Sequence, residues 1–259
     1  MKKRLRHRIR LIGILFIFAI AIGLTTFTIA AEKKEARVTQ VVHDVQLLAS
    51  QAAPRPAVVS DHVPEGTAVQ TGDESRAELI FTDQTLARLG ANTVFSFSEG
   101  ARDFDLARGV TLLCVPRNSG GAKINTAVAT AATTSSTALL GYDANTWLKF
   151  IILEGHGSIS LKHHPGETRE LHAGEMIIVR PGVTKLPEPE DVDLFRLIKT
   201  SLLITKFPPL PSLDLILLEA KNQQTLPPSS GLIDPIGLDT PDQKAATEPS
   251  ATPRPKPTR

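Results

Sequence analysis

From about Ser60 to Pro181 the apolar positions recur every second residue. Ala77, Leu79 and Phe81 alternate with Arg76, Glu78 and Ile80; Phe95 and Phe97 alternate with Ser96 and Ser98. Phe104 and Leu106 flank Asp105, and Ile159 and Leu161 flank Ser160. Successive side chains of a strand point to opposite faces, so this period predicts strands buried on one side. Two runs, Val110 to Val115 and Phe150 to Leu153, are apolar on both faces and predict strands covered on both sides. Turn-forming residues separate the runs: Thr71-Gly72-Asp73, Thr82-Asp83-Gln84, Glu99-Gly100, Ser119-Gly120-Gly121, Glu154-Gly155, Pro165-Gly166 and Ala173-Gly174. Short strands with turns at this spacing predict a mainly β domain: an antiparallel-rich sandwich, roll or solenoid-like structure. Ala127 to Thr137, a run of Ala, Thr and Ser, breaks the rhythm and has no assignment.

The pattern changes on either side. Residues 32–59 carry charges and small apolar clusters, with Pro54 and Pro56 against regular pairing, and read as a linker. After Pro187, the acids Glu188, Glu190, Asp191 and Asp193 precede Leu194, Leu197, Ile198 and Leu202, which predicts a helix start. Pro208, Pro209 and Pro211 end that helix. Ser212 then caps a second one, through Leu213 to Lys221. The helical segment is placed at 188–222 and the β domain at 60–187. From Gln223 to Arg259 there are eight prolines in 37 residues and few large apolar ones, a composition that predicts disorder.

The N-terminus alters the picture of the whole chain. A basic run in residues 1–10 is followed by Leu11 to Leu24 without a polar side chain, then by small residues up to Ala31 and the charged Glu32-Lys33-Lys34-Glu35. This is the order of a secretory signal. As a helix, Leu11 to Ala31 would extend about 31 Å, enough to cross a bilayer, so an uncleaved anchor remains the alternative. Either reading makes the chain exported: periplasmic, or anchored in the inner membrane and facing the periplasm. These 31 residues hold six of the 29 Lys and Arg and none of the 27 Asp and Glu. The remainder carries a net charge of −4 with His neutral, which argues against a nucleic-acid partner. The single cysteine, Cys114, lies in Leu112-Leu113-Cys114-Val115 and reads as a small buried hydrophobe.

The stretch TGDESRAELIFTDQTLARLGANTVFSF, Thr71 to Phe97, resembles the signature of the FecR domain. Phe104, Leu106, Gly109, Leu112-Leu113 and Val115-Pro116 fit the same pattern, as do KFIILEG at Lys149 to Gly155 and LHAGEM at Leu171 to Met176. The resemblance covers roughly residues 60–182. It implies a periplasmic β module of the kind that receives a signal from another envelope protein. In the iron-transport regulators of this family a cytoplasmic anti-sigma region precedes the membrane helix. Here only about ten residues precede the apolar run, so no sigma factor is expected as partner. Two features depart from the family: Gln84 stands where glycine usually follows the aspartate, and Ala131 to Thr137 replaces an Ile-Thr-Gly-Thr-like turn.

Candidate chemistry is sparse. His156, His163, His164 and His172 are close in sequence and offer imidazole ligands for a divalent metal, the basis of an alternative reading as a metal-dependent envelope enzyme. His163-His164 would either point to opposite faces of a strand or sit on the turn before Pro165. Glu154 with Glu167, Glu170 or Glu175 is a conceivable carboxylate pair, and Arg76, Glu78 and Arg88 read as surface ion-pair partners. No nucleophile–base spacing or phosphate loop is recognisable. The expectation is therefore no enzyme, no catalytic or metal residue, no cofactor, and a binding or sensing role toward an envelope protein or cell-wall component. A structural assembly role is the third reading. The helix Leu213 to Leu218, apolar nearly all round, packs on the β domain or docks a partner.

Overall fold

The computed structural model describes residues 35–98, 102–117, 119–164 and 166–224. The segment read as a signal or anchor, and the tail beyond Gln224, lie outside the described residues. Among the described residues seventeen strands and three helices follow one another. The strands are β1 (Glu35–Val42), β2 (Val45–Leu48), β3 (Arg55–Pro56), β4 (His62–Pro64), β5 (Ala68–Thr71), β6 (Arg76–Phe81), β7 (Leu86–Leu89), β8 (Val94–Phe97) and β9 (Asp103–Cys114). They continue as β10 (Ala122–Asn125), β11 (Ala129–Thr133), β12 (Thr137–Asp143), β13 (Trp147–Glu154), β14 (His156–Leu161), β15 (Thr168–His172), β16 (Glu175–Val179) and β17 (Glu190–Asp191). The helices are α1 (Leu194–Thr200), α2 (Leu202–Thr205) and α3 (Leu213–Gln224).

The pairings resolve into two layers. One runs β4-β1-β6-β7-β9-β12-β13-β16-β17. The other runs β3-β2-β5-β8-β9-β10-β11-β14-β15. We refer to them as the first and second layer. All these pairs are antiparallel except β9–β10. The 12-residue β9 belongs to both layers. Its first half pairs with β8 and β10, and its second half with β7 and β12.

The crossing point is Gly109, at φ +94. A side chain there would collide with Thr93. The Thr93 hydroxyl meanwhile accepts from the Val110 N–H at 3.0 Å. Glycine supplies both the left-handed backbone and the space.

The alternating residues of both layers meet in one core, where Ala77, Leu79, Phe81, Leu113, Phe150 and Ile177 face Val69, Phe95, Phe97, Phe104, Ile124 and Ile159. Phe81 packs edge-on against Phe97 and Phe104, with centroids 4.9 and 5.2 Å apart. A second core lies on the outer face of the first layer. Leu86, Leu112, Leu139, Ile151, Leu153 and Met176 are covered there by Leu194, Leu197, Leu203, Phe207 and Ile216 from the helical segment. The runs that are apolar on both faces thus belong to β9 and β13, strands between two cores. Among the described residues no helix is long and apolar enough to cross a membrane.

Several expectations are corrected. The 32–59 linker contains β1, β2 and β3, and even Arg55–Pro56 pairs with β2. The unassigned Ala127 to Thr137 run supplies β11 and the start of β12; its small side chains suit inner positions at Ala129 and Ala131. The second helix extends to Gln224, and Gln223 is docked rather than part of a free tail. Its side-chain amide donates to the Val192 carbonyl at 2.9 Å, and its side-chain oxygen accepts from the Leu194 N–H at 3.3 Å. Asp193 caps α1, accepting from the Arg196 N–H at 2.9 Å. The Ser212 hydroxyl does not cap α3 and points instead to Thr137, at 2.5 Å.

Candidate functional site

The four histidines divide into two pairs. His156 and His172 stand opposite each other in the β14–β15 ladder, both exposed. His163 and His164 sit on the turn at the other end of that hairpin, several residues and about 15–20 Å away along the strand. Among the described residues no three His, Cys, Asp or Glu side chains gather as metal ligands. The carboxylates are dispersed as well. Glu167 accepts from the Leu186 N–H and Glu175 from the His172 N–H, while Glu170 stands opposite Ser158.

Glu154 faces the helices, not the other hairpin acids. Its carboxylate accepts from the Thr137 hydroxyl at 3.0 Å, Thr137 contacts Ser212, and the Cys114 thiol reaches Ser212 at 3.6 Å. Burial raises the Glu154 pKa above the ordinary carboxylate range; the Thr137 hydrogen bond and the nearby Arg117 oppose the shift, and Glu219 of α3 adds to it.

The charged pair expected on the surface is inside. Arg88 is 0% exposed and Glu78 6%. The Arg88 Nε donates to Glu78 Oε2 at 2.8 Å, and Glu78 Oε1 accepts from the Thr39 hydroxyl at 2.8 Å. Arg88 also donates to the carbonyls of Leu203 at 2.8 Å and Pro208 at 2.6 Å, and lies 4.8 Å from the centroid of the Phe207 ring. Burial pulls its pKa below the ordinary value and the Glu78 carboxylate pushes it back up. The fork of guanidinium donors ties the sheet to the end of α2. It is a structural clamp: each of the three guanidinium nitrogens donates a hydrogen bond.

Two clefts indent the described surface. A cavity of about 160 Å³ lies between the layers at one end, lined by Val128, Leu161, Val179 and Val183 with His163, His164 and Arg180. The turn reading of His163-His164 is the one realised, and both residues line the same space. A second cleft, formed by Glu35, Arg37, His62, Phe81 and Gln84, is occupied at its rim by the 2.9 Å Glu35–His62 contact.

Residues 67–156 match the family model described as FecR protein. This stretch is a FecR domain. It runs from just before β5 to the first residue of β14, so it holds the strand shared by both layers, the Gly109 crossing and Arg88. The match is narrower than the 60–182 span of the sequence resemblance; the hairpin bearing His163, His164 and His172 and all three helices lie beyond it. No curated protein matches the chain. Two crystal structures of a candidate anti-sigma factor from Parabacteroides distasonis align with it, at TM-scores of 0.43 and 0.44 and identities of 17% and 16%. The alignments cover 48% and 51% of this chain and 59% and 63% of those, less than two thirds of their length.

Proposed function

We propose that the protein is a non-enzymatic binding or sensing module of the bacterial envelope, held in or released to the periplasm. The match of residues 67–156 to the FecR model carries this reading. The arrangement of surfaces is consistent with it. The outer face of the first layer is taken up by α1 to α3, whereas the second layer keeps its outer polar face and ends in the exposed edge strand β15. An edge strand can add a strand from a partner. Leu215 and Leu218 of α3, 39% and 53% exposed, offer a smaller second contact.

Cross-linking in intact cells followed by mass spectrometry tests the reading. An envelope protein or cell-wall component is expected as the dominant adduct. A cytoplasmic sigma factor in that place would overturn it. A reporter enzyme active only outside the cytoplasm, fused after Gln224, tests export. That junction keeps the helices that cover the second core, which a fusion at Pro187 would remove.

A further inference from the structure

The cavity at the end of the sandwich is flanked by two turns. One is closed by the Glu167 N–H on the His164 carbonyl at 3.1 Å, with Gly166 at φ +98. The other is Arg180-Pro181-Gly182-Val183, closed by the Val183 N–H on the Arg180 carbonyl at 3.4 Å, with Gly182 at φ +78. In the second turn, positive φ at the third residue after Pro181 is the signature of a type II turn, in which proline restricts the backbone before any ligand arrives. Each turn opens on a cationic or protonatable side chain. Between them lie the apolar ends of both layers, Leu161 and Val179, with Val128 and Val183 as side walls.

The composition of this rim selects the ligand. Two neighbouring imidazoles suit a metal cation on their own, but Arg180, whose guanidinium stays charged, lines the same space. Among the described residues no ion pair engages Arg180, and Glu167, the acid of the first turn, is directed to the Leu186 N–H. A cation is repelled here and an anion attracted. The four apolar walls add a second requirement, since a small inorganic anion would leave them wet or unfilled. The volume equals about five waters' share of liquid, room for a carboxylate of roughly four to six carbons.

We propose that this cavity binds a carboxylate carried on a short branched aliphatic body, with Arg180, His163 and His164 on the carboxylate and Val128, Leu161, Val179 and Val183 around the body. A free short-chain acid and the C-terminal carboxylate of a peptide ending in an aliphatic residue share this chemistry. Apart from Val128 the site lies outside the FecR match, and it does not depend on which envelope component the protein meets.

The test is titration of the full-length protein with 3-methylbutanoate, read by calorimetry and by the ring-proton resonances of His163 and His164. Binding with a Kd of about a millimolar is expected, the range open to so small a ligand. The alcohol 3-methylbutan-1-ol and inorganic phosphate should each bind at least about tenfold more weakly, because each lacks one half of the recognition. Arg180→Gln should weaken binding by about tenfold and His163→Gln/His164→Gln by several-fold, with melting temperatures unchanged since all three side chains lie at the rim. A tetrapeptide ending in valine, free or amidated at its C-terminus, separates the sources. Tighter binding of the free peptide than of the acid supports the chain-end form, and the reverse supports the free-acid form. Absence of heat and of resonance shifts at about twentyfold the expected Kd, or equal affinity of the Arg180→Gln protein, would overturn the proposal. So would stoichiometric zinc binding that is lost in the histidine variant. None of these results bears on the cross-linked partner, so the two readings stand or fall separately.

Discussion

At the scale of single residues, three side chains hold positions that ordinary sequence rules would not give them. Arg88 is the extreme case. Replacing it by Met keeps the volume but leaves Glu78 buried without its cation and strips donors from the Leu203 and Pro208 carbonyls. A loss of about 3–5 kcal/mol is expected, read as a fall in the urea midpoint. Adding Glu78→Leu should recover part of it, because the stranded charge is gone while the two carbonyls stay unpaired. Glu154 makes the opposite prediction. Its pKa is raised in the folded protein, so the contribution of its burial to stability is complete below the ordinary carboxylate range and is lost as pH rises through the folded value. Glu154→Gln should therefore raise the melting temperature near pH 7, with the gain shrinking as the pH is lowered to 4. A gain of the same size at both values would contradict this. Gln84 sits at φ +67 in a three-residue loop, closed by the Gln84 N–H on the Phe81 carbonyl and the Phe81 N–H on the Thr85 carbonyl. This is a type I turn with a bulge, not a two-residue turn, and its left-handed position favours glycine. Gln84→Gly should stabilise the protein by about 0.5–1 kcal/mol in chemical denaturation.

At the scale of elements, the strand shared by both layers is the most sensitive. Gly109→Ala adds a strained φ and drives a methyl group into Thr93, which holds the Val110 N–H. The cost should be at least about 2 kcal/mol, whereas Gly166→Ala or Gly182→Ala, with nothing within 4 Å, should cost only the backbone strain. Comparing the three by thermal unfolding separates packing from conformation. The elements legible in the sequence were those whose side chains had a simple period. Leu79, Phe95, Phe97 and Ile159 alternate as expected and all face the inner core, and the doubly apolar Val110 to Val115 and Phe150 to Leu153 belong to strands covered twice. β1 to β3 escaped because Pro54, Pro56 and the scattered charges of residues 32–59 mask a regular alternation, and β1 pairs with β6, which lies far along the chain. Arg88 was misread for a related reason. The outer face of an antiparallel sheet is usually wet, and the carbonyls that cover it come from residues 115 and 120 positions away. The histidines illustrate the limit of proximity in sequence: a hairpin joins His156 to His172 but sends His163 and His164 to its opposite end, where Arg180 from a different turn decides their chemistry.

At the scale of the whole molecule, the helices belong to the fold as much as the strands do. Ending the chain at Pro211 removes Ile216 and Ala220 from the second core and leaves Thr137 and Cys114 without Ser212. The shortened protein is expected to bind a hydrophobic dye and to lose cooperative unfolding on the first-layer side. A truncated protein with an unchanged melting temperature would show that α3 is an accessory.

The order of strands across each layer is, apart from the short β3 and β4, the order in which they occur along the chain. A chain delivered N-terminus first, whether from a ribosome or through a narrow export channel, would then add each new strand to a growing edge, with only short waits such as that of β1 for β6 or β11 for β14. The greasy side of the first layer is the exception, since its cover, α1 to α3, emerges after every strand. A product cut short before Leu194 would carry that face bare, and one cut before Ile216 would cover it only in part. The last thirty described residues thus act as a completeness mark: quality-control proteases that recognise exposed apolar surface could tell a finished molecule from an unfinished one by this face alone.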